Sequence, residues 1–86
     1  MKIVTTKKFT KQFKKQSLHT RKEFEKRVKI FLIDNNHPLL CVHKLKGIYK
    51  DLWSLSITGN IKVIFDKSHK STIVFITIGS HSELYS

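Results

Sequence analysis

The stretch Thr72-Ile73-Val74-Phe75-Ile76-Thr77-Ile78 constrains the fold of this chain more than any other segment. It is apolar on both of its alternating faces, which is the pattern of a strand at the centre of a sheet, covered above and below. Gly79 follows, and a glycine there frees the backbone to turn sharply. On this reading His81 is delivered to the sheet rim by a rigid strand, and Tyr85 lies four residues further on.

The rest of the chain supplies what such a strand needs around it. Lys2 to Thr5 can form a short first strand. Thr5 or Thr6 then caps a helix through about Leu18, with Phe9 and Phe13 one turn apart on its buried side. Thr20 and Glu23 have the spacing of a capping box, and Phe24, Val28, Phe31 and Leu32 form the stripe of a second amphipathic helix. Asn35-Asn36-His37-Pro38 ends it, because Asn suits a left-handed cap and Pro cannot continue a helix.

Beyond this helical hairpin the period shortens to that of strands. Asp51 to Ile57 places Trp53, Leu55 and Ile57 on one face, and Ile61 to Phe65 returns after a Gly59-Asn60 turn of the II′ kind. With that turn, Lys62 pairs with Ile57 and shares the face of Trp53. Asp66 to Ser71 reads as a polar loop before the final strand. The expected order is β-α-α-β-β-β, one α+β domain over residues 1–86, with an antiparallel sheet packed against an N-terminal helical hairpin.

Charge is distributed unevenly over this plan. The net charge is +11, and residues 1–50 carry 14 basic and 3 acidic groups while residues 51–86 carry 3 of each. Lys7, Lys8, Lys11, Lys14 and Lys15 cover the first helix, and Lys44 and Lys46 lead into the sheet. A field of this sign favours nucleic acid, an anionic membrane or an acidic protein, the alternative being a solvated helical surface. The longest apolar runs, Ile30 to Ile33 and Ile73 to Ile76, are too short to span a bilayer. No apolar segment of a secretory signal follows Lys2, and the single cysteine, Cys41, excludes an internal disulfide framework. A reducing cytoplasm is therefore expected.

The chemistry-bearing residues narrow the field further. The sequence has no Cys-x-x-Cys element, no helical His pair, no Gly-x-Ser-x-Gly elbow and no Gly-rich phosphate loop, so no metal or cofactor is expected. His19, His37 and His69 read as solvated turn residues. His43 opens the basic segment His43-Lys44-Leu45-Lys46-Gly47, and His81 follows the central strand. Histidine, lysine and tyrosine in a basic protein suit RNA. Its 2′-OH is an internal nucleophile, so cleavage needs a base, an acid and cationic stabilisation of the phosphorane. Histidine titrates near neutrality, and tyrosine can stack on a base.

The helix pair, the Leu45-Lys46-Gly47 step, the strand Ile61-Lys62-Val63-Ile64-Phe65 and the ending Ile78-Gly79-x-His81-x-x-x-Tyr85 resemble the RelE/ParE superfamily of bacterial type II toxins. The nearest branch is the YafQ-like messenger-RNA interferases. The resemblance covers nearly the whole chain and implies a ribosome-dependent endoribonuclease that cuts mRNA and is silenced by a cognate antitoxin wrapped around it. An acidic, DNA-binding antitoxin is the expected partner, together with the ribosome and mRNA.

By position, the resemblance makes His81 the acid–base histidine and Tyr85 the aromatic residue after it. His43 becomes the histidine of the His-x-Leu-x-Gly segment, and Lys62 sits where many members have an arginine. Two positions depart from the YafQ pattern: Ser56 stands in place of a second histidine, and Asn60 in place of an aspartate near the turn. Neither titrates near neutrality, so acid–base work falls to His81 and His43. Tyr85 has a second reading as an apolar anchor for the tail, and Lys62 as a solvent-facing hairpin residue. The competing function for this fold is that of the ParE branch, non-enzymatic toxins that bind DNA gyrase.

Overall fold

The computed structural model describes residues 1–85. Strand β1 (Lys2–Thr5) leads into helices α1 (Lys7–Lys14) and α2 (Leu18–Ile33). After a 3₁₀ turn at Pro38–Leu40 come β2 (His43–Lys44), a second 3₁₀ turn at Gly47–Tyr49, β3 (Trp53–Ser56), β4 (Ile61–His69), β5 (Thr72–Ser80) and a short helix α3 (His81–Tyr85). The five strands form one sheet in the order β1-β5-β4-β3-β2. The α+β plan read from the sequence holds, with two strand pairings it did not contain. β1 runs parallel to β5, whereas the other pairs are antiparallel, and β2 extends the far edge against β3. β5 thus has a neighbour on each side, as its doubly apolar sequence requires.

Helices α1 and α2 cover one face of this sheet. Phe9, Phe31, Leu55, Val63, Phe65, Phe75 and Ile78 are almost wholly buried between the layers. Phenyl rings cross the interface in tilted and edge contacts, Phe9 to Phe75 at 5.8 Å and Phe31 to Phe65 at 5.3 Å. Such pairs add about 0.5–1.5 kcal/mol each beyond area burial. Trp53 is half-buried against this core, and the Lys67 ammonium lies 3.7 Å above its ring.

The helix boundaries differ from expectation through capping. α1 stops at Lys14 because Ser17 starts the next helix: its Oγ accepts from the Thr20 N–H at 3.1 Å. Thr20 lies one turn inside α2 and is buried, so the predicted Thr20–Glu23 capping box is replaced by a Ser17 cap. α2 ends at Ile33, and no asparagine takes the left-handed conformation there. The Asp34 carboxylate instead accepts from the Asn36 N–H at 3.0 Å.

Thr6 caps α1 and does a second job. β1 is only four residues long, so beyond Phe75 the outer edge of β5 has no strand partner. Thr6 Oγ1 accepts from the Phe9 N–H at 3.0 Å and donates to the Ile76 carbonyl at 2.7 Å. Gln12 Oε1 accepts from the Ile78 N–H at 3.0 Å and from the Thr77 hydroxyl at 2.8 Å. The first helix therefore satisfies the strand edge that β1 is too short to reach.

Two hairpin expectations are corrected. Gly59 has no positive φ, so the II′ turn does not form. The loop runs from Ile57 to Asn60, and the Thr58 hydroxyl accepts from the N–H groups of Asn60 and Ile61. The longer loop moves the register by one residue, so Lys62 pairs with Ser56 and not with Ile57. The expected loop over 66–71 is instead strand as far as His69. A bulge between Asp66 and His69 absorbs its polar residues, and Ser71 makes the turn at φ 61°.

Candidate functional site

The shifted register decides where the site lies. Adjacent strand residues face opposite ways, so pairing with Ser56 puts Lys62 on the sheet face away from the helices. One row on that face runs Ser56–Lys62–Gly79, and the next runs His43–Ser54–Ile64. Lys62 is half-buried, and its ammonium donates to Ser56 Oγ at 2.7 Å. Ser56 thus holds the lysine by a neutral hydroxyl. The Arg27 guanidinium donates to the carbonyls of Ser56 at 3.1 Å and Leu39 at 2.8 Å, tying the end of β3 to α2.

Gly79 acts differently from its sequence reading. It lies within β5, paired with Lys62, and it has no positive φ. What it provides is space. A Cβ on Gly79 would stand 3.3 Å from Glu83 Oε1, 3.4 Å from Glu83 Cβ and 3.6 Å from Leu84 Cδ2, so the bare glycine lets α3 fold back onto the strand.

The turn itself is made one residue later by a capping box. The Ser80 N–H donates to Glu83 Oε1 at 2.8 Å, and the Glu83 N–H donates to Ser80 Oγ at 3.2 Å. The hydrogen bond from the Ser80 backbone, followed by that from its hydroxyl, holds the Glu83 carboxyl below its ordinary pKa. The signal was present in the sequence as Ser80-x-x-Glu83, but an apolar run did not follow it to mark a helix.

His81 is the first residue of α3 and is exposed. Tyr85 lies one turn on, its ring 4.7 Å from the imidazole and inclined by 32°. Tyr85 also meets Tyr49 edge-on at 5.3 Å, so it both anchors the tail and offers an exposed ring, 42% accessible. Leu84 is buried with Leu45 and Ile64 in a small second core that Tyr49 and Leu52 complete.

The remaining candidates divide by location. His43 is exposed on the same face as Lys62, with Nδ1 3.0 Å from the Cys41 carbonyl. Lys44 reaches Asp51 at 3.7 Å, and Lys46 is exposed. Both line an open cavity of about 420 Å³ with Leu45, Gly47 and Lys50, a lysine the sequence reading did not single out. Lys7, Lys8, Lys11, Lys14 and Lys15 are exposed on α1 and its C-cap, in the helical layer across the sheet from Lys62. His37 caps the first 3₁₀ turn, its Nδ1 accepting from the Leu39 N–H, and His69 pairs with Asp66 at 3.5 Å. Asn60 is an exposed loop residue.

Among the described residues no three His, Cys, Asp or Glu side chains come together as a metal site. No helix among them is long and apolar enough to cross a membrane.

The family model of the bacterial toxin of type II toxin–antitoxin systems, YafQ, matches residues 1–86. The chain belongs to the YafQ toxin family. Solved structures with the same fold extend across the wider superfamily. The YoeB/ParE toxin from Agrobacterium tumefaciens is 18% identical, with a TM-score of 0.78 over 94% of this chain and 99% of that one. A metal-bound toxin from Helicobacter pylori is 28% identical, with a TM-score of 0.77 over 99% of both chains. The RelB–RelE antitoxin–toxin complex from Methanococcus jannaschii gives 23% identity and a TM-score of 0.75, over 95% of this chain and 94% of that one. No curated protein matches the sequence.

Proposed function

We propose that this YafQ-family toxin is a ribosome-dependent endoribonuclease that cleaves mRNA through attack of the 2′-OH on the adjacent phosphate. The observation that carries the reading is the mounting of His81. An exposed imidazole on a capped turn, in tilted ring contact with Tyr85, stands two residues beyond the strand position that pairs with the Lys62 cation.

Each group has a role that follows from its chemistry. His81 exchanges the proton of the 2′-OH or of the 5′-oxygen leaving group, since histidine changes charge near neutral pH. Lys62, held on Ser56, faces the charge that develops on the phosphorane oxygens. The exposed face of Tyr85 stacks on a base next to the cut. His43, exposed on the same sheet face as Lys62, serves as His81's acid–base counterpart. The products are a 2′,3′-cyclic phosphate and a 5′-OH.

The α1 lysines point away from this face and hold ribosomal RNA phosphates, while Lys44 and Lys46 guide the messenger. The family's type II toxin–antitoxin system supplies the partner. An acidic, DNA-binding antitoxin complements the +11 charge and associates quickly for that reason. The setting is the cytoplasm, where ribosomes and mRNA meet.

Expression of the His81→Ala variant tests the proposal. Loss of growth arrest and of mRNA cleavage, with the variant folded and accumulating, is the expected result. A folded variant with undiminished toxicity, intact mRNA and poisoned gyrase would instead establish the ParE-like function.

A further inference from the structure

We infer that Tyr49 is a positioning residue, clamping α3 so that His81 and Tyr85 hold their places; this rests on the ribonuclease reading only for its effect on cleavage. The need for a clamp follows from length. α3 has five residues, too few for a helix to persist without tertiary support, and its last carbonyls have no partner within the helix. Ser80 and Glu83 close its beginning. Its far end is closed from elsewhere in the chain: the Tyr49 hydroxyl donates to the Leu84 carbonyl at 2.6 Å, across 35 residues of sequence.

The same side chain makes two further contacts with the tail. Its ring meets Tyr85 edge-on at 5.3 Å and an interplanar angle of 87°, and it packs on the cluster that buries Leu84. Tyr85 in turn lies against the His81 imidazole at 4.7 Å. The order of contacts is Tyr49 to Leu84 and Tyr85, and Tyr85 to His81.

Tyr49 is well placed to act as a fixed point. Its own 3₁₀ turn is closed by Lys50 N–H to the Gly47 carbonyl at 3.1 Å and by Leu52 N–H to the Tyr49 carbonyl at 3.0 Å. The Leu45 N–H then donates to the Leu52 carbonyl at 2.8 Å, sealing the base of the loop. Gly47, at φ +69° with open space around it, is the residue that allows this bend. Histidine-bearing tail and lysine-bearing loop are thus joined by the packing of Leu84 on Leu45 and Leu52, and Tyr49 adds the hydrogen bond and the ring contact that reach the end of α3.

The test compares Tyr49→Phe, which removes only the hydroxyl, with Tyr49→Leu, which also removes the ring. Three readouts apply: amide hydrogen exchange at Leu84 and Tyr85, the ring-current shift of the His81 imidazole protons caused by Tyr85, and kcat against KM on programmed ribosomes. In Tyr49→Phe, exchange at the two amides is expected to rise about two- to tenfold, the equivalent of one hydrogen bond. The His81 shift should persist in part in Tyr49→Phe and collapse in Tyr49→Leu. kcat should fall several-fold in that same order while KM stays within twofold.

A purely structural residue would lower the melting temperature and leave kcat unchanged below it. Exchange and imidazole shifts equal to wild type in both variants would overturn the inference. So would wild-type kcat in a Tyr49→Leu variant whose parent cleaves RNA. The exchange and shift measurements need no RNA, so a wild-type chain that fails to cleave would count against the ribonuclease reading alone.

Discussion

Replacing Lys62 with methionine separates two roles that a half-buried lysine can have. Its ammonium donates at 2.7 Å to the Ser56 hydroxyl, a neutral acceptor, so the positive charge is left available on the sheet face. Losing that bond from a charged donor costs about 1.5–3 kcal/mol. Against this, methionine relieves the desolvation of a cation and keeps much of the apolar stem, and the net charge falls from +11 by one. The net change in stability should stay within about 1 kcal/mol, a shift of no more than about 8 °C in melting temperature for a domain of this size. If Lys62 stabilises the phosphorane, removing that preorganised donor should cost about 10²–10³ in kcat, or roughly 2.7–4 kcal/mol. The assay is single-turnover cleavage of mRNA on programmed ribosomes beside calorimetric unfolding of the same preparation. Lys62→Arg, which keeps the charge, should recover most of the rate. Unchanged cleavage by a folded Lys62→Met variant would refute the reasoning, as would destabilisation by about 3 kcal/mol, the loss expected of a core residue.

Other substitutions test how the site is supported. Thr6→Val removes both the α1 cap and the bond to the Ile76 carbonyl, and should destabilise by about 2 kcal/mol in denaturant unfolding. Gly79→Ala sets a Cβ 3.3 Å from Glu83 Oε1; its cost should shrink by about 0.5 kcal/mol or more in a Glu83→Ala background, as a double-mutant cycle can measure. The Glu83 carboxyl is held below its ordinary pKa by Ser80, so its capping contribution is complete above the usual carboxylate range. That contribution should be lost only as pH falls through the lowered value, and amide exchange at Leu84 and Tyr85 followed from neutral to acid pH would show it.

The type and sequence of the main elements were legible because they rest on local patterns. The Phe9–Phe13 and Phe24–Val28–Phe31 spacings marked the helices, and the uninterrupted apolar run of β5 marked a strand with neighbours on both sides. Boundaries were less legible where two residues competed for one cap, as Ser17 and Thr20 did. The small β2 strand was hidden because two residues carry no period, and its existence depends on pairing with Trp53 and Ser54. Tyr49 and Arg27 could not be recognised either. Their partners, Leu84 for one and Leu39 and Ser56 for the other, lie 12 to 35 residues away along the chain.

By itself the sequence determined the inventory: a basic N-terminal half, an α+β plan, and a tail that carries His81 and Tyr85 past a central strand. Tertiary structure decided how that inventory is aimed. A loop longer than the expected turn shifted the register by one residue and moved Lys62 from the Trp53 face to the face of Ser56 and His43. It also showed that Gly79 makes room for α3 while Ser80 makes the turn. The physical reason is the two-residue period of a strand. Alternation of side chains is written locally, but which alternate set faces the core depends on register, and register is set by the loop and the partner strand.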